Sequence, residues 1–146
     1  MDLSVTVETV VHPTEDEAKV ERALRNIFPS ERIQKVETSG TEVILRINGR
    51  EIDFLSTLRN LIKQEAIRSA AKSILTSRTR GQRIRIYLNK QAAFAGRVSF
   101  CGPEGESPNG PISVEIDSSA PESVTEYLTA GPWQGISREA TGRRRR

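Results

Sequence analysis

A chain of 146 residues with 36% hydrophobic content fits one domain around one core, and no run approaches the roughly eighteen apolar residues that span a bilayer. One cysteine and one histidine exclude an internal disulfide and the usual zinc constellations within a single chain, so the expectation is a reduced, metal-free protein without a cofactor. The start MDLSVTVETVVHPTEDE has an acidic second residue and no basic, continuously apolar leader, which points to the cytoplasm. The net charge of +3 is unevenly spread. Residues 1–54 carry 7 Lys/Arg against 11 Asp/Glu, residues 55–101 carry 10 against 1, and residues 102–146 carry 5 against 7, or −4, +9 and −2. An anionic polymer is drawn to the middle block and repelled by the first.

In chain order, Leu3 to His12 alternates with β-branched residues and reads as a strand. His12-Pro13 ends it, and Thr14 with Glu17 forms a capping box for a helix from Glu15 to about Phe28. Val20, Ala23, Leu24, Ile27 and Phe28 make its apolar face. Ile33–Thr38 and Thr41–Asn48 read as a hairpin around Ser39-Gly40, and Asn48-Gly49 as a further turn. From near Phe54 to Arg78 the chain lacks Gly and Pro and reads as one long helix. Its cations do not form a stripe: taking Arg59 as origin, Lys63 falls at about 40°, Arg68 at about 180° and Lys72 at about 220°. Arg78, Arg80 and Arg83 surround Gly81, where cations suit the carbonyl end of that helix. Residues 101–111 form a Gly/Pro loop without the Lys-Ser/Thr of a phosphate loop. Ile112, Val114 and Ile116 mark a last strand, and Pro121 opens a short helix to about Thr129. Residues 1–130 are thus a single α+β domain, and 131–146 a flexible basic C-terminal tail ending in Arg143–Arg146.

Charge, aromatics and strand pattern converge on RIRIYLNKQAAFAGRVSF, Arg83 to Phe100. Alternation puts Arg83, Arg85 and Tyr87 on one side and Ile84, Ile86 and Leu88 on the other. The connector KQAAFAG leads to a second alternating run from Arg97 to Cys101. Such a face suits nucleic acid: cations meet phosphates, and Tyr87, with Phe94 if exposed, stacks a base. The candidate nucleic-acid-binding residues are Arg83, Arg85, Tyr87, Lys90 and Arg97. For Tyr87 the plain reading is a half-buried strand residue with a wet hydroxyl.

Four stretches carry a resemblance: VHPTEDEAKVERALRNIF, QEAIRSAAKSIL, IYLNKQAAFAGRVSF and GPISVEI. Together they resemble an uncharacterised archaeal protein family whose fold is similar to that of the large-subunit ribosomal protein that binds 5S RNA. The resemblance covers roughly residues 3–130 and implies an antiparallel sheet with helices packed on one side. That agrees with the order β-α-β-β-α-β-β-β-α read from the residues. HPTEDE also resembles archaeal proteins that act with RNA-processing complexes. A shared fold does not itself assign a function.

Three functions compete. The first is an RNA-binding module, with RNA or a ribonucleoprotein complex as partner. The second is a protein-interaction or homo-oligomeric scaffold, using the long helix or an edge strand. The third is acid/base chemistry near His12 beside Glu15, Asp16 and Glu17, for which the sequence offers no nucleophile elbow, dinucleotide fingerprint or metal pair. The expectation is a non-enzyme that binds RNA.

Overall fold

The period-2 pattern builds one sheet. In the computed structural model, which describes residues 2–29, 32–37, 40, 42–102 and 110–130, the strands are β1 (Leu3–Val11), β2 (Gln34–Glu37), β3 (Val43–Gly49), β4 (Thr79–Arg80), β5 (Arg83–Leu88) and β6 (Ile112–Ser118). They lie in the order β2-β3-β1-β6-β5-β4, and every neighbouring pair is antiparallel. Val5 and Val7, Leu45 and Ile47, Ile84 and Ile86, Val114 and Ile116 are buried on one face. Each such side chain removed from water stabilises the fold by about 1.5–3 kcal/mol.

Helices α1 (Glu17–Ile27), α2 (Ser56–Gln64), α3 (Arg68–Ser77), α4 (Lys90–Phe94) and α5 (Pro121–Thr129) complete the α+β architecture. Val20 and Leu24 of α1, Leu58 and Ile62 of α2, Ala71 and Leu75 of α3, and Val124 and Leu128 of α5 share one core with the buried sheet face. The opposite face is half-exposed along β1 and β6. The cations of α2 and α3 are used in packing. Arg59 lies over the Tyr127 ring at 5.2 Å and donates to the Tyr127 carbonyl at 3.0 Å, Arg68 donates to the Ala130 carbonyl, and Lys72 faces Glu126. Three charges of the basic block therefore hold α5.

Several local expectations are corrected. The long helix is two helices: Ala66 takes φ +56°, Ala66 N–H donates to Lys63 O, and Ile67 N–H to Ile62 O. These paired bonds are the helix end that usually needs glycine, and without glycine the break is silent in sequence. The cap of α1 is Asp16, whose Oδ1 accepts from Ala18 N–H at 3.0 Å, not Thr14. Glu15 instead belongs to the preceding turn, where its Oε1 accepts from His12 N–H at 2.9 Å. Asn48-Gly49 ends β3, and Phe54 packs on Gly49. KQAAFAG holds α4, capped by Asn89 accepting from Ala92 N–H at 2.9 Å. Residues 97–101 form no strand and keep one bridge, Leu88 to Phe100. The sixth strand is β4, formed because Gly81 at φ +63° turns the end of α3 back onto β5. The expected tail, with Arg143–Arg146, lies outside the described residues, as do 103–109 of the Gly/Pro loop.

Candidate nucleic-acid interface

Strand register fixes which side chains meet on the open face. Arg83 stands opposite Asp117, and Asp117 opposite Ser4. The next row runs Arg85, Glu115, Thr6, Asn48. The third runs Tyr87, Ser113, Glu8, Arg46, Gln34. Val10, Ile44 and Val36 form an apolar row toward the β2 edge. Directly opposed residues of antiparallel strands interact.

The expected alternation of β5 is present, with Arg83 and Arg85 exposed and Tyr87 half-buried. The neighbouring strand changes their electrostatics. Arg83 Nε donates to Asp117 Oδ1 at 2.9 Å and lies 3.3 Å from Glu115 Oε2, while Arg85 Nη2 donates to Glu115 Oε1 at 2.8 Å. Those hydrogen bonds raise both guanidinium pKa values, from Asp117 for Arg83 and from Glu115 for Arg85. Two cations and two carboxylates make a locally neutral ladder, and Arg46 paired with Glu8 continues the balance on β3 and β1.

Among the described residues, two cations without a carboxylate against them lie one strand outward. Arg78, the C-cap of α3, places its guanidinium carbon 5.6 Å from the centroid of the Tyr87 ring. Arg80 donates to the carbonyls of Ser77 and Thr79 at 2.9 and 3.0 Å. A ring and two carbonyls leave both positive charges intact. Arg78, Tyr87, Ile86 and Cys101 line a cleft of about 310 Å3 along this edge. The sequence reading treated Arg78 and Arg80 as helix-end chemistry, which Arg80 also performs. Gly81-Gln82, a two-residue connection between strand-like pairs, was the available sign of the hairpin that brings Arg78 to Tyr87.

The remaining candidates separate. Lys90 is not on the open face: it is 3% exposed, because Nζ donates to the Val10 carbonyl at 2.7 Å and meets Glu15 Oε1 and Oε2 at 3.2 and 3.3 Å. Burial lowers its pKa, and the Glu15 hydrogen bond and charge oppose that shift. Arg97 is exposed and lines another cleft with Asn89 and Ser99. Phe94 is 40% exposed. His12 Nδ1 faces Glu42 at 3.0 Å.

An antiparallel sheet covered by helices on one side, with an arginine over a tyrosine at its edge, defines an α+β protein; no helix among the described residues is long and apolar enough to cross a bilayer. A family model described as RNA binding matches residues 4–118, and the chain belongs to that family, which is the archaeal UPF0201 family. A UPF0201 protein of Sulfolobus acidocaldarius is 39% identical over 132 residues, spanning 90% of each chain. One of Thermococcus kodakarensis is 36% identical over 132 residues, 90% of this chain and 93% of the other. The crystal structure of the Methanococcus jannaschii UPF0201 protein superposes with a TM-score of 0.75 at 26% identity, covering 86% of this chain and 92% of that one. A second UPF0201 crystal structure gives 0.71 at 32% identity, covering 88% and 94%.

Proposed function

We propose that the protein is an RNA-binding module and that RNA lies along the β4–β5 edge of the open face. The observation that carries this reading is the Arg78–Tyr87 pair: a half-buried ring with a guanidinium over it, beside Arg80, at the edge where, among the described residues, these cations face no carboxylate. Tyr87 offers a stacking surface, Arg78 and Arg80 meet phosphates, and Arg83 and Arg85 join by exchanging Asp117 and Glu115 for phosphate. The RNA-binding description of the family supports the partner class. The likeness to the ribosomal protein fold that binds 5S RNA belongs to the same proposal. So does the choice between free RNA and a ribonucleoprotein complex.

The scaffold reading drew on an unbroken helix with a wide apolar arc. That helix is two short ones, and its apolar residues Leu58, Ile62, Ala71 and Leu75 lie in the core.

Fluorescence anisotropy with labelled structured RNA at two salt concentrations tests the proposal. Binding is expected at low salt and weakens steeply as salt rises, because released counterions drive phosphate contacts. Arg78→Gln lowers the salt slope by about one. Tyr87→Leu costs about 1–3 kcal/mol of affinity, the range for one base–aromatic stack. Removing residues 143–146 leaves binding in place. An absence of binding by the full chain at low salt rejects the RNA reading, and loss of all binding with the four arginines moves it to the tail.

A further inference from the structure

The cleft between α1 and α4 is separate from the sheet edge and has an unusual lining. It holds about 290 Å3, with Lys19, Val20 and Ala23 contributed by α1 and Gln91 and Phe94 by α4. Phe94 and Val36 are the two exposed large hydrophobic side chains among the described residues. The ring is thus available at the cleft wall as a stacking surface. The ring is also held in place. Asn26 Nδ2 donates to the carbonyls of Ala93 and Phe94 at 2.9 and 3.1 Å, which locks α4 against α1. Two carboxylates also line the cleft: Glu15 pairs with Lys90, and exposed Asp16 accepts from Ala18 N–H as the cap of α1.

On its other side α4 borders the second cleft, of about 400 Å3, lined by Arg97, Glu65, Asn89 and Ser99, where Glu65 Oε2 accepts from Val98 N–H at 2.9 Å; Gln91 is common to both clefts. A slot with an aromatic wall thus adjoins a polar cleft in which Arg97 and Glu65 both take part, while exposed Lys19 lines the slot itself. This combination matches a nucleotide: a flat base with an anionic phosphate on either side. Tyr87 stands two residues before Asn89, the cap of α4, so a short piece of chain joins the sheet edge to this cleft.

We infer that the α1–α4 cleft receives one unpaired nucleobase of the bound RNA, stacked on Phe94, with Lys19 and Arg97 on the flanking phosphates. This rests on the RNA-binding reading and adds the class of RNA. A base inside a duplex cannot enter the slot, so the protein prefers loops and single strands.

The test uses the full chain and two labelled RNAs with equal numbers of phosphates, a hairpin with an unpaired loop and a blunt duplex. Wild type is expected to bind the hairpin more tightly. Phe94→Leu lowers hairpin affinity about 5- to 100-fold, the range for losing one stacked base, and leaves duplex affinity unchanged. Phe94→Tyr, which keeps the ring, retains hairpin affinity. Lys19→Gln weakens hairpin binding and reduces its salt slope by about one, while binding of the duplex, which places no base in the slot, is unaffected. A 2-aminopurine in the loop reports stacking with the unaltered protein through a fall in its emission, whatever the stability of the variants. Unchanged emission, or an unchanged hairpin affinity in folded Phe94→Leu, overturns the cleft while leaving RNA binding in force. Wild type that binds neither RNA removes both readings.

Discussion

Lys90 and Glu15 form an ion pair whose side chains are only 4% and 11% exposed, and it joins the first residue of α4 to the turn between β1 and α1. The Nζ also donates to the Val10 carbonyl, so α4 and the β1–α1 stretch, distant in sequence, meet at one ammonium. Removing one partner of such a pair strands the other charge away from water. Lys90→Met is expected to cost about 3–5 kcal/mol of stability, and the double variant Lys90→Met with Glu15→Gln distinctly less. Urea denaturation of the three proteins checks this. Equal losses in single and double variants would show that Lys90 acts through packing and not through Glu15.

The same group sets a pH dependence. Burial lowers the folded-state pKa of Lys90 below the ordinary 10.5. Between that lowered value and 10.5 the unfolded chain holds the proton and the folded chain has released it, so the unfolded state binds more protons and stability rises with pH. Below the folded pKa the contribution is absent. Comparing urea midpoints of wild type and Lys90→Met across mildly alkaline pH isolates it: the advantage of wild type should grow as pH approaches 10.5.

How much of this was legible follows from what each signal depends on. Alternation in β1, β5 and β6 depends only on which face is buried, and the inward positions came out as read, from Val5 to Ile116. The partner of each outward side chain depends on register between strands far apart in sequence. Arg83 and Arg85 read as a free basic face because Asp117 and Glu115 lie about thirty residues away, on a strand whose pairing with β5 no local pattern encodes. Lys90 was misplaced for a related reason, since helix α4 turns it inward toward Val10 and Glu15. Arg78 was read through its own helix end, and only the β4–β5 turn sets it over Tyr87.

Ala66 gives a prediction about the helix break. It adopts the left-handed conformation at φ +56° without the freedom of glycine, a strain of about 1–2 kcal/mol for a residue with a Cβ. Ala66→Gly relieves that strain and loosens the unfolded chain, leaving a net gain of about 0.5–1 kcal/mol. Thermal unfolding should shift upward by a few degrees. A fall would mean that the helix end tolerates the methyl group without strain.

Gly49 gives the opposite sign. A Cβ there lies 2.3–2.7 Å from Phe54 ring atoms, and Phe54 stacks on Phe28 at 5.6 Å between centroids. Gly49→Ala must push that ring off its partner, and overpacking of this kind costs about 1–3 kcal/mol. Denaturant unfolding reads the loss, and a neutral result would show the ring to be freely displaceable.

Glu115 governs how much charge the open face offers to RNA. Its carboxylate is 27% exposed and is shared by Arg83 and Arg85, with Oε2 and Oε1 facing one guanidinium each. For phosphate to take its place, Glu115 must either give up these contacts or repel the incoming backbone. Glu115→Gln keeps the size and one acceptor and removes the negative charge. The pair is exposed on its arginine side, so the stability cost stays within about 1 kcal/mol. RNA affinity at low salt should rise, and the slope of log affinity against log salt should steepen by about 0.7–0.9, the value for one added phosphate contact. Anisotropy titrations over a salt series measure both. An unchanged slope would mean that RNA does not run over β5, and the phosphate path would then lie along Arg78 and Arg80 alone.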